Sequence, residues 1–185
     1  PTHARVLAAL SRVLYLQAGP QHTDVLPVEA SDGIGLPTAL RITARSDQID
    51  WGVTQGEQVA IAAGRLHLPG RTIHVGRVWR PVSVPTVDAH PERAWVECQW
   101  GLLPPAAPIR LGGLLVGAGQ GLTPSGDDHL CGALLAWRAV GRDAERADLW
   151  SVVRPRLKGT TGLSASLLTA AASGYAIPAV HTWIT

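Results

Sequence analysis

The sequence has no methionine and no phenylalanine, and its single lysine is Lys158. The two cysteines, Cys98 and Cys131, do not form a C-x-x-C pair, so no disulfide framework is expected and a reducing, cytoplasmic setting is the default. No apolar run approaches ~18 residues and no signal-peptide pattern opens the chain, so a soluble protein without a membrane partner is expected. Lysine and arginine never cluster, the formal net charge is only +2, and the arginines lack interleaved stacking residues. That combination leaves no electrostatic footprint for nucleic acid. With phenylalanine missing, seven tryptophans carry most of the aromatic bulk. A buried indole needs an acceptor for its N–H, so several are expected at a domain or subunit boundary.

What is present suffices for a packed interior. Apolar residues make up 46% of 185 positions, enough for one domain or for two small units around a shared core. Twenty glycines and fourteen prolines imply many turns, yet no low-complexity tract and no internal repeat is visible. Residues 1–85 read as short strands between turns. Candidates are Val25–Val28, Ala39–Thr43, Gln58–Ala62, Arg65–Leu68, Thr72–Val75 and Arg77–Arg80, with Ala63-Gly64 and Pro69-Gly70 as hairpin turns. His67 and His74 alternate with apolar neighbours and are expected to face solvent. Residues 86–185 read as helical after a proline-containing linker at Pro81–Pro85. Asp88 is a plausible cap for a helix to about Trp100, followed by the proline-rich Pro104–Pro108 piece. Leu130, Leu134 and Trp137 form one helical face ended by Gly141, and Ala144–Leu157 is a helix broken near Pro155. The expected fold class is α+β: a strand-rich small barrel or twisted sheet, then a helical region, in one compact domain or two.

The most specialised stretch is Leu114–Leu130. Gly117, Gly119 and Gly121 sit at every second position, then a Thr123-Pro124-Ser125-Gly126 turn, then Asp127 and Asp128. Glycine permits positive φ and close backbone approach. Ser125 is a candidate N-cap with Asp128 at the capping-box position, and both carboxylates would complement the helix dipole. That capping reading does not need three spaced glycines, Thr123 and a second Asp. The other reading, beside capping alone, is a ligand site: loop and helix N–H groups bind anionic oxygens, and two carboxylates can hold Mg²⁺ or take a proton. The spacing matches neither a Walker A loop, whose lysine is missing, nor the dinucleotide fingerprint. His129, one position on, makes no metal triad with its neighbours, since adjacent helix positions diverge by ~100°. Cys131 is expected in the core, and Ser125 lacks the nucleophile-elbow context.

The unbroken run Gly121-Leu122-Thr123-Pro124-Ser125-Gly126-Asp127-Asp128 resembles the signature of the AllH family, which contains the AllH subunit of oxamate carbamoyltransferase. Thr160-Thr161-Gly162-Leu163-Ser164-Ala165-Ser166-Leu167-Leu168 resembles that family's downstream T-T-x-x-S-x-x-L-L element. The region from Gly56 to Pro81 is similar more loosely. Gln120 and His129 depart from the family pattern, which places proline and an aromatic residue there. The chain is shorter than the resemblance implies and is expected to be trimmed. The resemblance also favours a strand over Arg12–Gln17, although Val6, Leu7, Leu10, Val13 and Leu14 fit helical spacing.

Residue chemistry alone makes Thr160, Thr161 and Ser164 helix caps. The resemblance implies that they meet the glycine loop and complete one site. It further implies a carbamoyltransferase subunit acting on carbamoyl phosphate, oxamate or oxalurate with other subunits. In that reading Gly119, Gly121, Thr123, Ser125, Gly126, Thr160, Thr161 and Ser164 bind the anionic ligand. Asp127 and Asp128 supply the base or hold Mg²⁺, and Lys158 or Arg154 adds positive charge. Two alternatives stand beside it: a non-catalytic ligand-binding or scaffolding subunit, and a Mg²⁺-dependent phosphate-binding enzyme of another class.

Overall fold

The computed structural model describes residues 2–87 and 107–184. The helix expected from Asp88 lies outside the described residues, as does most of the proline-rich piece. The chain divides into two compact units, Pro1–Pro81 and Val82–Thr185.

The first unit is a sheet of seven strands: β1 (Thr2–Leu10), β2 (Val13–Gln17), β3 (Val25–Glu29), β4 (Leu40–Arg41), β5 (Gln58–Ala62), β6 (Arg65–Leu68) and β7 (Arg71–His74). Their order is β4-β3-β2-β1-β5-β6-β7, an open, curled sheet. All neighbours are antiparallel except the short β3–β4 pair. Alternation puts Ala4, Val6, Leu14, Leu16, Leu66 and Leu68 on the buried face, where Val28, Val59 and Trp51 join them. The Trp51 indole N–H donates to the Leu10 carbonyl at 2.7 Å, so the ring is buried with its polar atom satisfied.

The helical spacing of Val6, Leu7 and Leu10 does not prevail. β1 pairs with β2 along one edge and with β5 along the other, and these ladders fix it as a strand. The register slips by one residue between Val6 and Ala8, a bulge of the kind that strengthens sheet curl. The hairpin turns form as expected. Ala63 and Gly64 both take positive φ, 48° and 71°, which is the type I′ turn between β5 and β6. Gly70, at φ 71°, follows Pro69 in the turn to β7. Two candidate strands differ. Ala39–Thr43 shrinks to Leu40–Arg41, and Arg77–Arg80 forms no strand. The last bond of that ladder is Val75 N–H to Gly64 carbonyl at 2.9 Å, and beyond Gly76 the chain has outrun its partner. Pro27 fits within β3 because β4 pairs only with Val28 and Glu29, leaving the proline side unladdered.

Glu29 ends β3 fully buried. Its carboxylate accepts from the Leu36 N–H at 2.9 Å and thereby closes the Gly33–Leu36 loop over it. Gly33 has to be small here, since a Cβ would lie 3.2 Å from the Glu29 side chain. Burial pushes the Glu29 carboxyl above its ordinary value, against the pull of that N–H and of the Arg41 charge.

The second unit contains α1 (Ala107–Leu115), α2 (Ser125–Ala139), α3 (Asp143–Val153), a 3-10 segment (Arg154–Gly159), α4 (Gly162–Ala172) and α5 (Pro178–Ile184). Leu130, Leu134 and Trp137 of α2 pack with Leu149 and Val153 of α3, Leu168 and Ala171 of α4, and Val84. Gly141, at φ 70°, stops α2, and Pro155 lies where α3 gives way to the 3-10 segment. Arg138 is not a free surface residue. Its Nε donates to Ser83 Oγ and to the Val84 carbonyl, both at 3.2 Å, tying α2 to the extended segment after Pro81. No helix among the described residues is long and apolar enough to cross a membrane.

The Glu29 geometry makes a pH-dependent prediction. A carboxyl whose folded value is raised favours folding most below its unfolded value of about 4.3, and that contribution is lost as pH rises through the folded value. Glu29→Gln keeps the acceptor for the Leu36 N–H without the buried charge. Its melting temperature should equal or exceed wild type at pH 7, and the difference should close on acidification. A variant that melts well below wild type at pH 7 would show that the charge itself is needed.

Candidate functional site

The glycine-rich loop connects α1 to α2, and each of its special residues has a local reason. Gly117 takes φ 74°, and a Cβ there would lie 2.3 Å from the Gly159 carbonyl oxygen. Gly119 takes φ 123° and lies against Ser125, whose Oγ would be 2.9 Å from a Cβ. Gly126 is buried, with the Leu115 carbonyl 2.2 Å from where a Cβ would be. Gly121 differs: at φ 89° it has nothing within 4 Å of a Cβ, so its backbone lies open.

The expected cap is not formed. Helix α2 starts at Ser125, its N-cap is Pro124, and no side chain caps it. The Pro124 carbonyl accepts from the Asp127 and Asp128 N–H groups at 2.9 and 3.2 Å. The Gly126 N–H turns back to the Ala118 carbonyl at 2.8 Å. Backbone carbonyls thus satisfy the helix end, and Ser125 is freed to be the first helical residue. Of the N–H groups that a helix start offers to an anion, those of Gly126 and Asp127 are therefore engaged internally. The N–H groups of Gly119 and Gly121 make no hydrogen bond among the described residues.

Asp127 is the centre of the arrangement. Only 1% of it is exposed, and both carboxylate oxygens are used. Oδ1 accepts from the Gly117 N–H at 2.9 Å, and Oδ2 accepts from the Thr160 hydroxyl. The next hydroxyl, Thr161 Oγ1, donates to the Leu122 carbonyl at 2.5 Å and accepts from the Ser164 N–H at 3.1 Å, capping α4. The two sequence blocks therefore meet through adjacent threonines. Thr161 is both a cap and a contact to the loop, so the two readings of its hydroxyl are not exclusive.

Asp128 is exposed, in contrast to Asp127. Partial burial first, and then the neighbouring Asp127 charge, push its carboxyl above the ordinary aspartate value, while His129 pulls the other way. Beside it, His129 Nδ1 lies 3.1 Å from the Ser125 carbonyl, which can only accept, so Nδ1 carries the proton. Ser125 is exposed too, Thr123 is half-buried, and Ser164 is buried. Lys158 and Arg154 are exposed on the 3-10 segment preceding Thr160. Cys131 offers no nucleophile. Burial, reinforced by the two aspartates, pushes its thiol up to about 12.

Residues 115–185 match the family described as Oxamate carbamoyltransferase subunit AllH. The likeness to the AllH family covers the C-terminal part of the chain. It begins at the last residue of α1 and includes the loop, α2 to α5 and both members of the Asp127–Thr160 pair. No curated protein and no solved structure matches the chain.

As a metal site the glycine loop is not a ready-made chelate. Asp127 is committed to an N–H and a hydroxyl, Asp128 points to solvent from the next helical position, and no group of three His, Cys, Asp or Glu forms among the described residues. Spacing alone did not reveal the Gly117 N–H as a partner of Asp127, nor Asp127 and the Leu122 carbonyl as the partners of the downstream threonines. The only signal was the glycine pattern itself.

Because Asp127 is buried, alanine there is not a silent probe. Asp127→Ala orphans a buried N–H and a hydroxyl, at a cost of about 3 kcal/mol, so its melting temperature should fall by several degrees. Gly126→Ala should be at least as damaging, since backbone has to move. Gly121→Ala should cost only about 1–2 kcal/mol, the left-handed penalty alone. Equal losses for the two glycine variants in thermal melts would contradict this packing.

Proposed function

We propose that the AllH domain of this chain is a subunit of a carbamoyl-transferring enzyme, and that its glycine loop binds the anionic substrate. The observation that carries the reading is the junction of the two family blocks. A buried carboxylate and two threonines lock loop and α4 together, leaving Gly119, Gly121, Ser125 and Asp128 on the open side. In this arrangement Asp127 is a positioning residue. It holds the loop so that the N–H groups of Gly119 and Gly121 present themselves to a phosphate or carboxylate oxygen. Thr123 and the 3-10 segment's Lys158 and Arg154 border the same stretch of chain.

The reaction class is transfer of a carbamoyl group between phosphate and the nitrogen of oxamate. The oxamate nitrogen attacks the carbamoyl carbon and a C–N bond forms. The C–O bond to phosphate breaks, and phosphate leaves with the electron pair. The nitrogen's proton goes to a base, for which Asp128 is suited: it is exposed, and more basic than an ordinary aspartate. The reverse reaction, phosphate on oxalurate, uses the same groups. Assays with and without Mg²⁺ decide whether the ion belongs to the site.

A second reading has an observation of its own. The buried carboxylate of the loop, Asp127, is consumed in structure, as suits a subunit that binds ligand or partner while another chain performs the chemistry. The test is carbamoyl transfer by the chain alone and after mixing with candidate partner subunits. Asp128→Asn should lower turnover by about a hundredfold or more while the melting temperature holds. The wild-type rate should fall as pH drops through the raised Asp128 value, since the base must be ionised. Turnover unchanged in Asp128→Asn would remove Asp128 from the chemistry and leave the binding-subunit reading.

A further inference from the structure

We propose that the N-terminal unit carries a binding cavity of its own for an amphipathic organic anion: a carboxylate, phosphate or sulfonate head on a flat, apolar body. The cavity has a volume of about 1120 Å³, and every residue lining it lies between Leu26 and Trp79. It follows from the curl of the sheet. The outermost strands, β4 and β7, both contribute walls to it, through Leu40 and Arg41 on one side and Arg71, Ile73 and His74 on the other. Its volume is on the scale of small-molecule sites.

Three features of the lining select the ligand. The first is charge. Arg41, Arg71 and Arg77 line the cavity and no aspartate or glutamate does. Arg41 is partly engaged, donating to the Ser31 carbonyl at 3.2 Å. The side chains of Arg71 and Arg77 make no hydrogen bond or ion pair among the described residues, so their guanidinium groups are available for an anionic head. The second is aromatic surface. Trp51 is part of the wall with its N–H already satisfied, and Trp79, 39% exposed, borders the same space. Such rings suit a flat, apolar body. The third is Thr38, another lining residue. Its hydroxyl oxygen is buried and has no hydrogen-bond partner. An orphaned buried hydroxyl costs stability, and a rotation that uncovers it would let a polar ligand atom in the cavity satisfy it. Exposed arginines alone are ordinary. Arginines without carboxylates, around a cavity that also holds an orphaned hydroxyl and an exposed indole, make a site.

The test uses the full chain and 8-anilinonaphthalene-1-sulfonate as probe, with uncharged N-phenyl-1-naphthylamine as its neutral counterpart. The sulfonate should bind saturably and about tenfold or more tightly than the neutral probe, as expected where charge-assisted hydrogen bonds hold the head. Arg71→Ala/Arg77→Ala changes only exposed side chains, so the fold should persist by circular dichroism while sulfonate affinity falls by about tenfold or more. Thr38→Val should weaken binding while the melting temperature holds or rises, an outcome that a purely structural role for Thr38 would not produce. The proposal is overturned if the arginine variant binds the sulfonate as wild type does, or if the neutral probe binds equally well. It is also overturned if Asp127→Asn abolishes binding with Arg71 and Arg77 intact, which would put the probe at the AllH loop.

Discussion

The C-terminal unit depends on one buried carboxylate. Asp127 lies in the first turn of a helix, where a negative charge is favoured, yet it neither caps that helix nor faces water. It spends one oxygen on a loop N–H and the other on a hydroxyl 33 positions downstream. The surrounding glycines are consequences of that choice. Gly117 has to approach Gly159, and Gly126 has to slide under the Leu115 and Ala118 carbonyls, for the carboxylate to reach both partners. The pair of aspartates thereby splits into two environments, one buried and fully hydrogen-bonded, the other exposed and more basic than usual. Adjacent, identical side chains come to lie in different settings because only one of them has hydrogen-bond partners for its carboxylate among the described residues.

The N-terminal unit solves another problem, how a single-layer sheet covers its own apolar face. Curling does it. The bulge in β1 and the tight hairpins bring Ala4, Val6, Leu14, Leu16, Leu66 and Leu68 around one core, closed by Trp51. Buried Glu29 then holds the Gly33–Leu36 loop in place. In each unit a buried carboxylate thus fastens a glycine-containing loop.

Much of this was legible in the residues, for local reasons. The Ala63-Gly64 and Pro69-Gly70 turns could be read because positive φ and fixed φ belong to those residue types. The helix face at Leu130, Leu134 and Trp137 could be read because its period is helical and its burial one-sided. Where local rules were ambiguous or were overridden, the reading stopped short. Val6, Leu7 and Leu10 satisfy a helical period, and only pairing with two distant strands makes them β. Ser125 has cap chemistry, but Pro124 offers a carbonyl in the same place. The partners of Arg138, Ser83 and Val84, are more than fifty positions away in sequence, beyond any local pattern. The alliance of Asp127 with Thr160 is invisible to spacing for the same reason, and only the family pattern set the two blocks side by side.

The sheet's connectivity also has a consequence in time. β1 to β3 follow one another closely along the chain, and so do β5 to β7, so each group zips through short loops. The seam between them joins Thr2 to Ile61 and Arg5 to Gln58, across nearly the whole length of the unit. Closing so long a loop is entropically slow compared with forming a hairpin. On a ribosome, the first strand has to wait with one edge unpaired until the fifth emerges. Only when that seam closes does the sheet acquire its curl, and the core its sides.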